Sequence, residues 1–475
     1  MRKNYLQTLI YFLTIFTSQG LAFILWPITT RYLDQGAFGE YQIGLVVASF
    51  VAMMGSAWIR RLAFRLYYEA IERKETRKYF VSVVIFQALA VSLLLLVAFF
   101  ALVFIFKGLI SWSVFLAVVA YVFISDYYTL TINLNRAEEQ SIAFAVSEIS
   151  SGLLRFGLAI GAFQLGFRTP EALLWAISFA LVLPAIFSTY NLSKSLTGAF
   201  GFSFSSLRDI LRHGPASIPA PLATWFEESS DRIVLERLGN KDLVGLYTAN
   251  YGLADKIIGG LSQAVFMMSW PNILRAYTNN GAVAAKRAIR QAFRMYFWLT
   301  TGPMLFIVFY FSLLANLLGE SYQQAAYIMP VVVIATWLRD FRTYMNRHIE
   351  IQKRFWIMSV VTGIGAVVNL SLNFILIPRM GLMGAAIATL ADFSVVTIIY
   401  FFLRHPDFFS MPYQDLFACF AFCAVAYSLP RILFEGLYLR AGGFIVIYAT
   451  GVFIVFFGEK IYSRLEAKFS KKVSE

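Results

Sequence analysis

A short segment of the chain concentrates charge inside a largely apolar stretch. Its charged residues are Glu227, Glu228, Asp231 and Arg232. Glu228 and Arg232 are one helical turn apart, so they can pair on one face of a helix. Glu227 and Asp231 have the same spacing but repel each other, which would let one carboxyl bind and release a proton. The segment therefore predicts ion coupling or internal pairing, and the alternative is that all four side chains are solvated near the outer water boundary.

Prolines precede this charged segment at Pro215, Pro219 and Pro221. Each proline removes a backbone hydrogen-bond donor and favours a kink in a helix. In membrane transporters, broken helices line cavities or act as hinges. We therefore expect a bent or broken helix that serves as a hinge here, with plain kinking as the alternative.

Cations at membrane depth form a second set of candidates. Arg155 lies in the middle of an apolar stretch, and Glu148 precedes it on about the same helical face. Such charges cost about 2.5–3.5 kcal/mol on insertion scales, so they usually face a cavity or a partner. A guanidinium stays charged and binds anionic groups bidentately. Arg155 is therefore the first candidate for a cavity cation, and the alternative is an internal ion pair with Glu148 or Asp126.

Arg60, Arg61 and Arg65 lie at the inner end of the second apolar stretch. They could receive an anionic substrate from that side. The alternative is that they anchor the topology and attract anionic lipid, at about 1 kcal/mol per charge. Arg232 and Lys256 are further candidate cavity cations. Asp255 is an acid that is expected to pair with another helix.

The composition places these charges in a membrane protein. The chain has 475 residues, of which 59% are hydrophobic and only 14% are charged. A soluble protein this apolar could not bury the surplus, so the surplus faces lipid. The net charge of +13 does not indicate a nucleic-acid partner, because the basic residues lie mainly between apolar runs. In that position they set the orientation of the chain in the membrane.

A spanning helix needs about 20 mostly apolar residues, and this measure predicts about fourteen spans. The expected fold class is an all-α polytopic membrane protein. Lys and Arg concentrate in alternate connections, which places both termini in the cytoplasm. No outside connection is long enough for a catalytic domain, and no ATPase phosphate loop is present. We therefore expect a transporter and not an enzyme. The spans begin near Leu6, Tyr41, Tyr79, Trp112, Ser141, Ala172, Gly214, Leu243, Ala292, Tyr322, Phe355, Leu382, Met411 and Ala441.

An internal repeat relates the two halves of the chain. Asn135–Arg168 overlays Asn346–Arg379 without a gap, and a nearly equal shift places Gly39 on Gly245 and Tyr41 on Tyr247. Both matches keep their direction relative to the membrane, so the repeat is parallel. It predicts a six-helix lobe at 1–200, a second at 201–405, and two extra helices with a basic cytoplasmic tail at 406–475.

The residues of this repeat resemble a known family over about residues 5–405. The chain is similar to the polysaccharide exporters of the multidrug/oligosaccharidyl-lipid/polysaccharide superfamily. The resemblance is carried by Thr30-Arg31-Tyr32-Leu33 with Phe38-Gly39-Glu40-Tyr41, by Asp231-Arg232 with Leu238-Gly239 and Val244-Gly245-Leu246-Tyr247, and by the run from Asn369 to Thr389.

This resemblance implies a flippase for lipid-linked oligosaccharides. Such a protein moves undecaprenyl-diphosphate-linked repeat units from the cytoplasmic to the outer leaflet of the bacterial inner membrane by alternating access. The product would enter O-antigen (lipopolysaccharide), capsule or exopolysaccharide assembly, with a polysaccharide polymerase and chain-length proteins as partners. The candidate cations would then hold the diphosphate.

Three other functions remain as alternatives or are excluded. An ion-coupled drug or cation antiporter of the same superfamily predicts an acidic cavity and usually has twelve spans. A scaffold of polysaccharide assembly that transports nothing would tolerate loss of its intramembrane charges. A membrane-bound glycosyltransferase or polymerase would need a large outside loop, which is absent. Proton or sodium coupling stays open, while no cofactor is indicated and the scattered His and Cys residues suggest no metal site.

Overall fold

The computed structural model describes the backbone of residues 2–473. Side chains are described from Leu13 to Phe456, apart from Ile15, Ser205, Ser206, His213 and Ala216. The basic tail that follows Lys460 therefore lies outside the described side chains.

The described backbone consists of helices joined by short connections. The first helices are α1 (Arg2–Tyr32), α2 (Gln35–Ala52), α3 (Trp58–Glu72), α4 (Thr76–Phe104), α5 (Trp112–Ala137), α6 (Ser141–Gln164), α7 (Pro170–Phe179), α8 (Val182–Ser193) and α9 (Phe204–His213). The later helices are α10 (Pro219–Leu238), α11 (Lys241–Ala315), α12 (Glu320–Gln323), α13 (Met329–Met345), α14 (Arg347–Ile351), α15 (Phe355–Met380), α16 (Leu382–Leu403), α17 (Tyr413–Leu433) and α18 (Leu437–Val473).

Length and apolarity identify the helices that can span a membrane. Within the described residues, 10 helical stretches meet both conditions. The 75-residue α11 counts once among them, but Gly281 interrupts its helical backbone with a φ of 71° and divides it into two spans. Helices also lie at the remaining predicted spans, so the all-α polytopic architecture is confirmed.

One compact unit consists of Met1–Leu253, Leu317–Ile328 and Phe355–Asp392. Within this unit, α1 packs along α6 and α10 packs along α15. Ile59, Tyr67 and Leu134 belong to a buried core cluster that α3, α4 and α5 share. These paired helices form the frame that positions the candidate site.

The second compact unit consists of Ala254–Asn316, Met329–Arg354 and Phe393–Glu475. Its core is aromatic, and hydrogen bonds join some of the buried polar atoms there. The Tyr296 hydroxyl donates to the Trp337 carbonyl at 2.6 Å, and the Trp337 indole donates to the Thr300 hydroxyl at 3.1 Å. The lobe boundaries at 1–200, 201–405 and 406–475 stay a prediction.

Candidate functional site

A cleft of about 560 Å³ opens in the first compact unit, between α2 and α3 on one side and α10 on the other. Its lining brings together three of the predicted candidates, Arg61, Pro221 and Glu228. It also contains Ser49 and Trp225, which sequence reasoning missed. The cleft therefore combines a cation, an acid, a hydroxyl and an aromatic ring, and its volume is typical of a small-molecule site.

A π-helical turn, Met53–Ala57, joins α2 to α3 and sets the directions of the arginines that follow it. Such turns insert a residue into a helix and are frequent at functional sites. The added residue rotates the following side chains by about 100° around the helix axis. As a result, Arg61 is exposed and lines the cleft, whereas the Arg60 side chain is only 14% exposed. Arg65 is exposed one turn further along α3, outside the lining of the cleft.

Arg60 belongs to a buried charge pair. Its guanidinium donates to Asp126 Oδ1 on α5 and to the Ser56 hydroxyl, and that hydroxyl donates to Asp126 Oδ2. A carboxylate as buried as Asp126 needs a cation and hydrogen bonds to stay charged. Asp126 therefore pairs with Arg60 and not with Arg155. The role of Arg60 as a substrate cation stays a prediction, although its charge is already balanced.

Arg155 lies half-buried on α6, and its Nε atom has no hydrogen-bond partner among the described residues. Its charge interacts with the hydroxyl groups of Tyr41 and Tyr128. Glu148 does not neutralise it by an ion pair within 4.0 Å in the described part of the chain; instead, Glu148 accepts a hydrogen bond from the Tyr128 hydroxyl at 3.1 Å. The described side chains therefore do not form the alternative, an internal ion pair of Arg155.

The charged segment of α10 is buried at two of its four positions. Glu227 and Asp231 are each 3% exposed, so the alternative of four solvated side chains near the outer boundary is wrong. Asp231 accepts from the Arg232 backbone N–H at 2.8 Å and lies 3.6 Å from the Arg232 guanidinium. Arg232 also donates to the backbone carbonyl of Glu228. Burial of the Asp231 carboxylate is possible because the neighbouring Arg232 supplies a hydrogen bond and a positive charge.

An amide network adjoins Asp231 and was not assigned to the site by sequence reasoning. Asn369 and Asn373 lie one turn apart on α15 and are fully buried. Asn369 Oδ1 accepts from the Ser230 hydroxyl at 2.9 Å and from Asn373 Nδ2 at 2.8 Å. Amides at this spacing in an apolar helix are a signal for a polar helix–helix contact. The network joins α10 to α15 beside the acidic pair.

The prolines break the helix as predicted. α9 ends at His213, a 3-10 turn covers Pro215–Ser217, and α10 begins at Pro219. Pro221 follows within the first turn of α10 and lines the cleft. Because the break lies at the edge of the cleft, it can redirect α10 if the cleft changes shape; its role as a hinge stays a prediction.

The charges predicted in the eighth span belong to the second compact unit. Asp255 pairs with Arg339 of α13 at 2.9 Å, in agreement with the expected helix–helix pair. Arg339 also contacts Asp340 at 3.1 Å. Lys256 is half-buried and interacts with the neighbouring Asp255. The role of Lys256 as a cavity cation stays a prediction.

The opposite end of α2 is closed by a contact between two glycines, Gly39 on α2 and Gly245 on α11. A Cβ atom on Gly39 would lie 1.9 Å from the carbonyl oxygen of Lys241, and one on Gly245 would lie 2.0 Å from that of Gln35. These two helices therefore meet backbone to backbone. Nearby, the Tyr322 hydroxyl donates to the Asp34 carbonyl at 2.7 Å. Within this unit, α2 runs from a closed end to an open cleft.

Comparisons with known proteins identify the family of the chain. Residues 6–276 match a family model described as polysaccharide biosynthesis protein. The chain belongs to this family. Over 232 residues it is 23% identical to the probable low-salt glycan biosynthesis flippase Agl15 of Haloferax volcanii. That match covers 48% of this chain and 48% of Agl15, so the chain aligns with about half the length of this relative.

Solved structures share the fold of this chain. The lipid II flippase MurJ, in an inward closed conformation, matches with a TM-score of 0.74 at 13% identity, over 95% of this chain and 100% of MurJ. An inward-facing multidrug resistance MATE transporter of the MOP superfamily matches with a TM-score of 0.63 at 16% identity, over 82% of this chain and 93% of that one. The chain thus has the multi-pass membrane fold of these two structures.

The structure places the predicted site residues in separate parts of the chain. Arg61, Glu228 and Pro221 share the cleft, whereas Arg155 and Glu148 lie together on α6. Among the described residues, no group of three or more His, Cys, Asp or Glu side chains is placed to hold a metal ion. The cleft is the one of these places that joins a cation to open space, so it is the candidate substrate site.

Proposed function

We propose that this chain moves a lipid-linked oligosaccharide across the membrane by alternating access. The observation that carries the proposal is the difference between the two ends of α2. One end borders a cleft that contains Arg61, and at the other end α2 meets α11 backbone to backbone at Gly39 and Gly245. A transporter needs a site that is open to one side while the other side is closed. The substrate would be an undecaprenyl-diphosphate-linked repeat unit, moved from the cytoplasmic to the outer leaflet of the bacterial inner membrane. Its product would serve surface polysaccharides such as O-antigen.

The chemistry of the substrate supports this choice of cleft. A diphosphate is polar and strongly anionic, so it needs a cation wherever it leaves water. Arg61 is exposed in the cleft and would receive it by a charge-assisted, bidentate contact. Arg155 would offer a second cation deeper in the bundle, where lower polarity strengthens the attraction. The prenyl chain would stay in lipid, because it needs no polar partner.

Arg61 gives a direct test of this function. In a strain without the protein, the lipid-linked intermediate should accumulate in the inner leaflet, protected from a periplasmic glycan-modifying enzyme. Wild type should clear it, and Arg61→Ala should clear it at least about tenfold more slowly. The reason is that a hydrogen bond to a charged group contributes about 1.5–3 kcal/mol. Arg155→Ala, measured in parallel, tests the second cation.

Arg65 is the matched control, because it is an exposed arginine on the same helix but outside the cleft. Arg65→Ala should clear the intermediate at the wild-type rate. Equal rates for Arg61→Ala and Arg65→Ala, at equal protein levels, would contradict a role for Arg61. Absence of accumulation in the deletion strain, with normal surface polysaccharide, would overturn the flippase proposal itself.

The buried acids of α10 are the proposed site of proton or sodium coupling. Glu227 and Asp231 lie on a helix that borders the cleft, so a change in their charge would bias the shape of the cleft. In vesicles, wild-type transport should accelerate under an imposed ion gradient. Glu227→Gln combined with Asp231→Asn should respond several-fold less, whereas Asp407→Asn, an exposed loop residue, should respond as wild type. Unchanged export by the double variant would end the coupling proposal.

Glu228 keeps one alternative open, an ion-coupled antiporter of drugs or cations, because it places an acid in the cleft beside Arg61. This alternative predicts uptake of small organic cations into vesicles, which the lipid-linked oligosaccharide would not inhibit. A scaffold would instead tolerate every cleft substitution. Polymerase and chain-length proteins remain proposed partners.

A further inference from the structure

Trp225 is held in a fixed orientation at the wall of the cleft. Its indole N–H donates to the Ser49 hydroxyl of α2 at 3.0 Å. Its ring packs against Phe50 with centroids 4.9 Å apart and against Phe226 with centroids 5.2 Å apart. The only polar atom of the side chain is therefore occupied. What the side chain offers to a ligand is its aromatic surface.

An aromatic surface selects particular chemical groups. The face of the indole ring is electron-rich, so it attracts the weakly positive C–H groups of a partner that is flat and apolar on one side. A pyranose has such a side, and its hydroxyl groups lie around the edge. Carboxylate oxygens accept hydrogen bonds from hydroxyl and amide groups, and Glu228 lines the same cleft as Trp225. Ring and carboxylate alone would also attract a simple cation, but Arg61 in the same cleft repels one, so the complete lining matches a sugar better.

The position of Arg61 in the same cleft limits which sugar this can be. If the guanidinium holds the diphosphate, the sugar within the cleft is the one bonded to that diphosphate. The cleft of about 560 Å³ is sized for a small ligand, so it suits one end of the oligosaccharide and not a long glycan. The rest of the chain would extend away through the open side.

We propose that Trp225 and Glu228 recognise the sugar that is directly attached to the lipid diphosphate. The sugar stacks on the indole, its polar groups donate to Glu228, and Arg61 holds the phosphate. Trp225 is then a specificity-determining residue that acts on the first sugar, whatever follows it. This inference rests on the proposed function, since it assumes a lipid diphosphate as the substrate.

Binding to the purified full chain in lipid nanodiscs tests the inference with two probes. One is polyprenyl diphosphate, and the other is polyprenyl diphosphate that carries a single N-acetylhexosamine. Wild type should bind the sugar-bearing probe about five- to tenfold more tightly, the factor expected from one aromatic contact. Trp225→Leu fills the space without an aromatic face, so it should bind both probes alike while keeping the wild-type affinity for the bare diphosphate. Trp225→Phe should keep most of the preference.

A control variant and the pattern of binding distinguish failure of the inference from failure of the proposed function. Trp356 is 68% exposed on α15, and Trp356→Leu should leave both affinities unchanged. A wild-type protein that binds both probes equally, or a Trp225→Leu protein that keeps the preference, would overturn the role of Trp225 and leave the proposed function standing. A wild-type protein that binds neither probe would instead overturn the proposed function, and the inference with it.

Discussion

Gly39→Ala is expected to reduce transport by about a hundredfold while the protein still inserts and folds. The added methyl group would lie 1.9 Å from the carbonyl oxygen of Lys241, which is a backbone atom and cannot swing aside. The two helices must separate, so the closed end cannot form as it does in the native protein. Overpacking of this kind costs about 1–3 kcal/mol, and near its upper end such a cost shifts a conformational equilibrium about a hundredfold.

The sign of this effect is diagnostic, because alanine usually stabilises a helix relative to glycine. In an exposed helix interior the gain is about 0.5–1 kcal/mol. Gly20 on α1 is a matched control, since a Cβ atom there would meet nothing within 4 Å. Gly20→Ala should therefore transport at the wild-type rate and be at least as stable. Only the variant with a backbone neighbour should fail.

Labelling with a membrane-impermeant maleimide would show whether the closed end has opened. Cys419 and Cys423 are both buried, so the background reaction should be low. Leu33 is 3% exposed near the glycine contact, and Leu33→Cys supplies a reporter there. The reporter should react faster in combination with Gly39→Ala than alone or with Gly20→Ala. Equal labelling together with normal transport would refute the closure.

Gly245→Ala should reproduce the loss, because its Cβ atom would lie 2.0 Å from the Gln35 carbonyl oxygen. The combined variant should be little worse than either single variant. Once one methyl group has separated the helices, the second finds space, and substitutions in contact are not additive. Full additivity would mean that the two glycines act at separate places.

The internal repeat shows what the sequence can and cannot predict. Matching Gly39 to Gly245 follows from aligning the chain with itself, and so does the parallel relation of the copies. That these two glycines touch depends on their distance from the pseudo-symmetry axis, which an alignment does not contain. Residues that lie on such an axis contact their own counterparts. The spacing of residues in each copy gives no such distance.

For the charged residues, too, the sequence predicts some features and not others. Hydropathy locates Asp126, Glu227 and Asp231 at membrane depth, because each interrupts an apolar stretch, and it locates Arg60 at the inner end of a span. It does not predict that Arg60 turns inward while Arg61 lines the cleft, since the π-helical turn before them has no clear sequence signal. It also does not predict that Glu227 and Asp231 are buried, because that depends on how α10 packs along α15.

Asp126→Ala is expected to destabilise the protein by about 3–5 kcal/mol, which is the second large effect. The substitution leaves the Arg60 guanidinium in the bundle without the carboxylate that balances it. Removing one partner of a buried pair is costly because the remaining charge is desolvated and uncompensated. Thermal unfolding of the detergent-solubilised protein, followed by loss of its monodisperse peak, would measure the change. Arg65→Ala, at an exposed position on α3, the helix that carries Arg60, should leave the unfolding temperature within the error of the measurement.

The double variant Arg60→Met with Asp126→Leu separates the energy of the pair from the cost of breaking it. Two apolar side chains of similar volume need no partners, so this variant should regain most of the stability that Asp126→Ala loses. Such recovery means that the pair is not required for the fold. If the double variant were stable but transported slowly, the pair would serve to orient α3, and with it Arg61, toward the cleft. A double variant as unstable as Asp126→Ala would instead show that packing around Ser56, and not the unmatched charge, causes the loss.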